Sequence, residues 1–377
     1  MPLWDVTFDT HLNVSLPDIV TAVARAEAMA SVIRGLPLSP AVQQKIDALN
    51  IMRAVRGTTG IEGTEISEEE VAEIIASPET SRVLPDSRAR EEKEARNAAA
   101  VTSFVVEVVR RSPTPPLTEG LICQMHEMIT QGIDYKNNVP GRYRNHAVTA
   151  GTYTPPRTGE EVTDLMGRFV HWFNEGPPRY WPAAIRAVVA HFYVVSIHPF
   201  GDGNGRTARA VESFLLYQGG INARGFYSLS NFYYRMRPEY VGMLDSVRFK
   251  TAGDLTPFVT FALEGLVAEL SAVHEEVLQE MTVIAFRDFA REELARTRRL
   301  EAKRRDRMYD FLLDLVEREA VSLRSVGRGQ DALSRFYAGT SSKTLNRDLT
   351  FLRNHQLVAI KGDILRANLE VMREFMA

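Results

Sequence analysis

Several things are scarce in this sequence. Its 377 residues include one cysteine, Cys123. No internal disulfide and no cysteine-built zinc cage can therefore form, and Cys123 reads as a small buried apolar residue rather than a nucleophile. No run of 18 or more apolar residues is long enough to cross a bilayer. The opening Met1-Pro2-Leu3-Trp4-Asp5 lacks a basic segment followed by an apolar stretch, so no signal peptide is expected. An excess of one charge sign is also missing: 45 Lys and Arg face 48 Asp and Glu, a net charge of −3. That balance argues against a bulk polyanion binder or a polybasic membrane binder. There is no fixed-period repeat and no low-complexity tract. These absences predict a reduced, soluble, cytoplasmic protein with no membrane partner.

Helical patterning fills most of the chain. Apolar residues at spacings of three and four predict helices over 18–35 and 40–58, a short one over 68–76 and a longer one over 91–111. Ser112-Pro113-Thr114-Pro115-Pro116 stops the last of these and suggests a boundary. Thr118 is the expected N-cap of a helix reaching about Gln131. Between Val139 and Gly159 the character changes, and His146 to Tyr153 reads as a short hairpin closed by Pro155-Pro156. Helices resume over 160–174, 182–197, 206–218, 237–248 and 255–273. The 182–197 segment is so apolar that it should be central. A charged stretch from His274, with Arg298-Arg299 and Lys303-Arg304-Arg305 near its end, reads as a connecting helix. Beyond it, helices over 308–319, 331–338 and 343–354 precede a hairpin of 357–360 and 364–366. Three helices followed by a hairpin is the order of a winged helix-turn-helix. The expected division is an N-terminal helical region (1–112), a core (113–273), a connecting helix (274–304) and a winged helix (305–377).

The chemistry concentrates in His198-Pro199-Phe200-Gly201-Asp202-Gly203-Asn204-Gly205-Arg206-Thr207-Ala208-Arg209. Pro199 disfavours helical geometry in the residue before it, so the apolar helix should end at His198. A helix C-terminus would favour the protonated form of that imidazole. Three alternate glycines allow a tight loop whose N–H groups approach a ligand. A new helix starting near Arg206 adds its free N–H groups, which makes an anion site suited to phosphate. Arg206 and Arg209, three apart, share one face and can grip phosphate oxygens in a bidentate fork. Asp202 supplies a carboxylate of the kind that holds Mg²⁺ beside a nucleotide. His198 is a base next to an activated phosphate.

This segment resembles, position for position, the Fic-family signature His-Pro-Phe-x-Asp/Glu-Gly-Asn-Gly-Arg-x-x-Arg. The resemblance implies a mainly α fold: a Fic-type helical core with a small β-hairpin flap, plus a C-terminal winged helix-turn-helix. It implies a protein adenylyltransferase that moves AMP from ATP to a Ser, Thr or Tyr hydroxyl of a target protein and releases pyrophosphate. His198 would be the general base and Asp202 the Mg²⁺ ligand. Gly203, Asn204 and Gly205 would form the anion hole, with Arg206 on the α/β-phosphates and Arg209 on the γ-phosphate. Gly141-Arg142-Tyr143-Arg144 through Pro155-Pro156 is similar to the family's target-docking flap, which fits addition of a target segment as an extra strand. Asn231 to Leu244 is similar to the region that closes over the adenine, with Tyr233 and Tyr240 as the stacking candidates. Self-modification and a homodimer are further implications.

Thr58-Thr59-Gly60-Ile61-Glu62-Gly63 resembles the family's inhibitory motif, Ser/Thr-x-x-x-Glu-Gly/Asn, in the class with an N-terminal inhibitory helix. A carboxylate offered to Arg209 would neutralise it. Thr58 would help fix the helix, and Gly63 completes the motif. In the C-terminal segment, residues 301–377 hold 14 Lys and Arg against 11 Asp and Glu. Lys343, Asn346, Arg347 and Arg353 on the expected recognition helix suit DNA. Dimerisation or target docking is the competing use. Other functional readings are a Fic enzyme that uses another nucleotide, one that removes AMP, and a DNA-binding regulator that uses the site as a nucleotide sensor.

Overall fold

The computed structural model describes residues 5–8, 11–112, 114–222, 229–251, 253–297 and 300–372. Contacts along the chain divide it into two compact units, Met1–His274 and Glu275–Ala377.

The first unit is helical. Its elements are α1 (Pro17–Gly35), α2 (Pro40–Ile61), α3 (Glu68–Ala76), α4 (Ala89–Arg111), α5 (Glu119–Thr130), α6 (Gly159–Glu175), α7 (Ala183–Ile197), α8 (Asn204–Gln218), α9 (Leu229–Arg235), α10 (Arg237–Phe249) and the start of α11 (Thr256–Arg296). Local chemistry sets the starts. Ser39 accepts a hydrogen bond from the Val42 N–H, with Pro40 at the first helical position. Ser67 with Glu70, and Thr158 with Glu161, form reciprocal capping boxes. Thr118 caps α5 as expected. Almost every residue of α7 is buried, which makes it the central helix, and its most extensive partner is α8.

Several expectations change here. The N-terminal region is not separate from the core: α2 and α4 both pack on α8 within the same unit. The expected hairpin over 146–153 is a single antiparallel bridge between Ala150 and Tyr153, without strands. The helices expected over 255–273 and from 274 onward are one helix, α11, of 41 residues, which runs through the division between the two units at His274 and Glu275. By length and composition α11 could cross a membrane, which corrects the reading that no segment was apolar enough. However, 61% of its most apolar window is buried in the protein, with Phe258, Leu263 and Leu266 among its buried side chains. Arg298 and Arg299 lie outside the described residues. Cys123 is half-buried rather than buried.

The second unit continues α11 and adds α12 (Ala302–Val316), β1 (Val321–Ser322), α13 (Leu323–Gly327), a 3-10 turn (Ala332–Tyr337), α14 (Ser342–Asn354), β2 (Val358–Lys361) and β3 (Ile364–Ala367). The strands form an antiparallel sheet in the order β1-β3-β2, with Leu365 opposite both Val321 and Ile360. The second expected helix of this unit is the 3-10 turn, and α13 before it had no counterpart in the sequence reading. Phe311, Leu315, Leu333, Leu349, Leu352 and Leu365 form the core. Asp348 of α14 is fully buried and accepts from Arg304 Nε at 2.6 Å and Arg307 Nη2 at 2.7 Å, both on α12. Lys343, Asn346, Arg347 and Arg353 are exposed on α14.

Candidate active site

The site is built where α7 ends and α8 begins. His198 caps α7 in the left-handed conformation, φ 53° and ψ 58°. That sharp turn is held by one side chain. Arg144 donates from Nε to the His198 carbonyl at 2.7 Å, from Nη1 to the His146 carbonyl at 2.7 Å and from Nη2 to the Pro156 carbonyl at 2.6 Å. Its own N–H donates to the Pro199 carbonyl at 2.9 Å. A buried guanidinium thus ties the His198 turn to both ends of the 146–156 segment. The tip of that segment rests on α10. Thr152 Oγ1 donates to Asp245 Oδ2 at 3.2 Å, and Arg248 lies 4.2 Å from the centre of the Tyr153 ring.

His198 Nδ1 lies 3.2 Å from the Val195 carbonyl. A carbonyl only accepts, so Nδ1 carries the proton and Nε2 keeps its lone pair. Desolvation of the ring is the main reason its pKa falls to about 4, and the positive charges of Arg248 and Arg144 push the same way. The helix-end argument for a protonated His198 is therefore overturned. Enclosure and two nearby guanidinium groups outweigh the helix dipole, and the imidazole is neutral at pH 7.

The loop from Pro199 to Gly203 is clamped from within. Asn204 Oδ1 accepts from the Phe200 N–H at 2.8 Å, and its Nδ2 donates to the Phe200 carbonyl at 2.9 Å. His126 lies flat against Phe200, with ring centroids 3.7 Å apart. Its Nε2 donates to the Asp202 carbonyl at 3.0 Å, and its Nδ1 accepts from the Gly141 N–H at 3.0 Å. Burial pushes the His126 pKa down to about 4, so this bridge is also neutral. Gly203 has φ 74°, and a Cβ there would press on Thr130. Asp202 Oδ1 accepts from the Gly203 N–H at 2.5 Å and from Arg206 Nη2 at 3.1 Å, while 44% of its side chain stays exposed. A carboxylate that keeps an open side suits Mg²⁺, which takes one or two protein oxygens and completes its shell with water and phosphate. No cluster of three or more metal-ligating side chains occurs among the described residues.

Arg206 and Arg209 are both almost fully buried. Arg206 Nη1 donates to Tyr135 Oη at 2.5 Å and lies 3.6 Å from Glu94. Arg209 is held by α2: Nε donates to Thr58 Oγ1 at 2.9 Å, and Nη2 donates to the Thr58 carbonyl at 3.0 Å and to Glu62 Oε1 at 2.6 Å. The Glu62 carboxylate lies where a side chain on Gly205 would begin, at the first turn of α8. The Glu62 carboxylate therefore stands beside the N-terminus of α8, paired there with Arg209. Crowding works against ionisation of Glu62. Arg209 above all, then Arg206 and His198, more than offset it and hold the carboxyl below its ordinary pKa. The Glu62 side chain is 38% exposed, so solvent screens this pair on one side. Gly63 follows with φ 98° and turns the chain off α2. Arg237 Nε caps the Ile61 carbonyl at 2.8 Å. Gly57 and Gly60 leave room for Ser230 and Tyr234 of α9 to approach closely.

Tyr233 and Tyr240 are elsewhere. Both are buried, their rings stack on each other at 4.6 Å, and Tyr233 Oη donates to buried Glu212 at 2.8 Å. Tyr240 Oη pairs with His191 at 2.9 Å. These rings are core, which corrects the expectation that they stack on a base. The structure brings together His198, Asp202, Gly203, Asn204, Gly205, Arg206, Arg209, Thr58 and Glu62. The sequence reading placed Arg144 only within the flap and assigned no role to His126, Tyr135, Glu94 or Arg248. Glu94 did leave a signal: it lies on the same helical stripe as Ala98, Val101 and Val105, where an acid is out of place.

Residues 116–216 match the family model described as "Fic/DOC family". The match includes the whole His198–Arg209 loop and the Arg144 region, and it stops short of Thr58, Glu62 and the second unit. The chain is 32% identical over 140 residues to "Protein adenylyltransferase Fic" of Drosophila mojavensis, which covers 37% of this chain and 26% of that protein. It is 28% identical over 204 residues to "Protein adenylyltransferase fic-1" of Caenorhabditis elegans, covering 54% of this chain and 37% of that protein. The chain thus spans well under half the length of these relatives. Two solved structures share the fold. A Fic family protein from Desulfovibrio desulfuricans G20 has a TM-score of 0.56 at 18% identity and covers 97% of this chain and 98% of that one. Fic-1 of C. elegans has a TM-score of 0.58 at 24% identity and covers 71% of this chain and 74% of that one.

Proposed function

We propose that this chain is a protein adenylyltransferase held in check by Glu62. The observation that carries the proposal is a neutral His198, its Nε2 free, beside the start of α8, where Glu62 pairs with Arg209. His198 Nε2 takes the proton of a target Ser, Thr or Tyr hydroxyl as its oxygen attacks the α-phosphorus of ATP. The bond from that phosphorus to the β-bridging oxygen breaks, and pyrophosphate leaves. Asp202 holds Mg²⁺. The N–H groups of Gly203, Asn204 and Gly205 receive phosphate oxygens, and Arg206 grips the α/β region.

Arg209 serves the γ-phosphate only when Glu62 and Thr58 release it. This is the arrangement of the Fic class with an N-terminal inhibitory helix. The segment over 146–156 acts as the flap that registers the target's backbone, and its tethers to Arg144 and α10 support that role. The chain's own exposed hydroxyls are candidate targets alongside another protein. A homodimer is one way to move α2. The test is transfer of labelled AMP by Glu62→Gly with and without His198→Ala: transfer that survives loss of the imidazole would refute the mechanism.

We further propose that the second unit is a winged helix-turn-helix that binds DNA through α14. The exposed Lys343, Asn346, Arg347 and Arg353 favour this reading. Binding to short duplex DNA should weaken steeply with salt. Absence of binding at low salt would point to docking or dimerisation instead.

A further inference from the structure

A cavity of about 480 Å³ lies behind the active site, between α2, α4 and α8. Its size is within the range of about 300–1,000 Å³ common to small-molecule sites. Small side chains create it: Ala54 of α2, Ala98 of α4 and Ala210 of α8 face one another across it, with Val101 and Val105 completing the wall. One end is buried and lined by Thr58, Glu94, Arg206 and Arg209. The other end is bordered by Glu107 and Arg110, which are exposed.

Two features say what would fill it. Arg206 is buried, and its Nε has no hydrogen-bond partner in the protein. An acceptor is therefore wanted at the deep end. The charged groups lining the cavity are balanced, with Arg206, Arg209 and Arg110 beside Glu94, Asp47 and Glu107. A neutral acceptor leaves that balance intact, and an anion in the apolar body of the cavity would upset it. We infer that the α2/α4/α8 cavity is a binding site for a small, neutral, largely apolar molecule that carries one hydrogen-bond acceptor. The acceptor would meet Arg206 Nε, and the apolar body would lie along Ala98, Val101 and Val105. The occupant would touch Thr58 and Arg209, the two sides of the contact that holds α2 to the site. The site borders the guanidinium groups to which the proposed function gives the phosphates, and its test reads binding rather than AMP transfer.

Three probes of one shape separate the possibilities: acetophenone (neutral, with an acceptor), ethylbenzene (no acceptor) and benzoate (anionic). Binding to the full chain is read by ligand-observed saturation-transfer NMR and by the thermal midpoint. Acetophenone should bind up to about tenfold more tightly than ethylbenzene, the gain of one hydrogen bond. Benzoate should give no shift. Val106→Phe, at a half-buried cavity position, should abolish the acetophenone signal. Thr102→Leu serves the same purpose if Val106→Phe does not fold. Failure of acetophenone to bind at its solubility limit, equal binding of all three probes, tightest binding of benzoate, or binding retained in a folded filled variant would each overturn the inference.

Discussion

Replacing Thr58 with valine tests the hold of α2 on Arg209 one bond at a time. Valine keeps the shape of threonine and removes Oγ1, which accepts from Arg209 Nε at 2.9 Å. The Thr58 carbonyl, which accepts from Nη2 at 3.0 Å, and the Glu62 contact are untouched. Arg209 is 2% exposed, so the orphaned N–H finds no water. A hydrogen bond to a charged group in such a place is worth about 1.5–3 kcal/mol. In the released state Arg209 faces phosphate, and Thr58 contributes nothing. The difference therefore falls on the held state alone and should raise AMP transfer by about ten- to a hundredfold. The rate of Glu62→Gly sets the ceiling. Because both residues act on one guanidinium, the Thr58→Val/Glu62→Gly double variant should be no faster than Glu62→Gly alone. The assay is transfer of labelled AMP at saturating ATP. A Thr58→Val rate equal to wild type, beside an activated Glu62→Gly, would refute the shared-guanidinium argument.

Other outcomes follow from the same geometry. In the Glu62→Gly background, Arg144→Gln should lower kcat at least about tenfold while leaving KM for ATP within about twofold, since Arg144 orients His198 and the 146–156 segment without reaching the phosphate site. An unchanged kcat would remove its positioning role. Transfer by Glu62→Gly should stay flat from pH 8 down to about pH 5, because the His198 pKa lies near 4 and Glu62 is among the groups that raise it. An ordinary imidazole would lose about tenfold by pH 5.5, so an acid midpoint near 6.5 would contradict the enclosed ring. Stability carries the same sign. His126 has a folded pKa below its unfolded one, so the unfolded chain binds more protons between pH 6.5 and 4. Its contribution should therefore fall by about 2 kcal/mol between pH 7 and pH 5, measurable by urea unfolding at the two values.

The loop chemistry was legible because it is local. Pro199 ends a helix, the glycines bend the chain, and the spacing of Arg206 and Arg209 puts both on one face. Each of these is a neighbour-to-neighbour effect. Helix starts at Ser39, Ser67, Thr118 and Thr158 were signalled in the same way, by a side chain capping its own first turn. What the sequence hid was tertiary. The protonation state of His198 depends first on the enclosure of its ring and then on Arg248 and Arg144, distant in sequence and brought near by the fold, so a helix-dipole argument pointed the wrong way. Tyr233 and Tyr240 read from the sequence as stacking candidates or as plain core, and Glu212 and His191 satisfy their hydroxyl groups inside the core. The change to charged residues at His274 does coincide with the division between the units, but α11 runs through it unbroken, because nothing local stops that helix. Glu62 lay between these cases: the motif was readable, and its meeting with Arg209 required the packing of α2.

The most direct test of a transferase restrained by its own carboxylate is intact-mass spectrometry after incubation with ATP and Mg²⁺, comparing wild type with Glu62→Gly. The structure predicts one or more added AMP groups on Glu62→Gly, little or none on wild type, and none on Glu62→Gly/His198→Ala. Equal modification of wild type and Glu62→Gly would contradict the restraint.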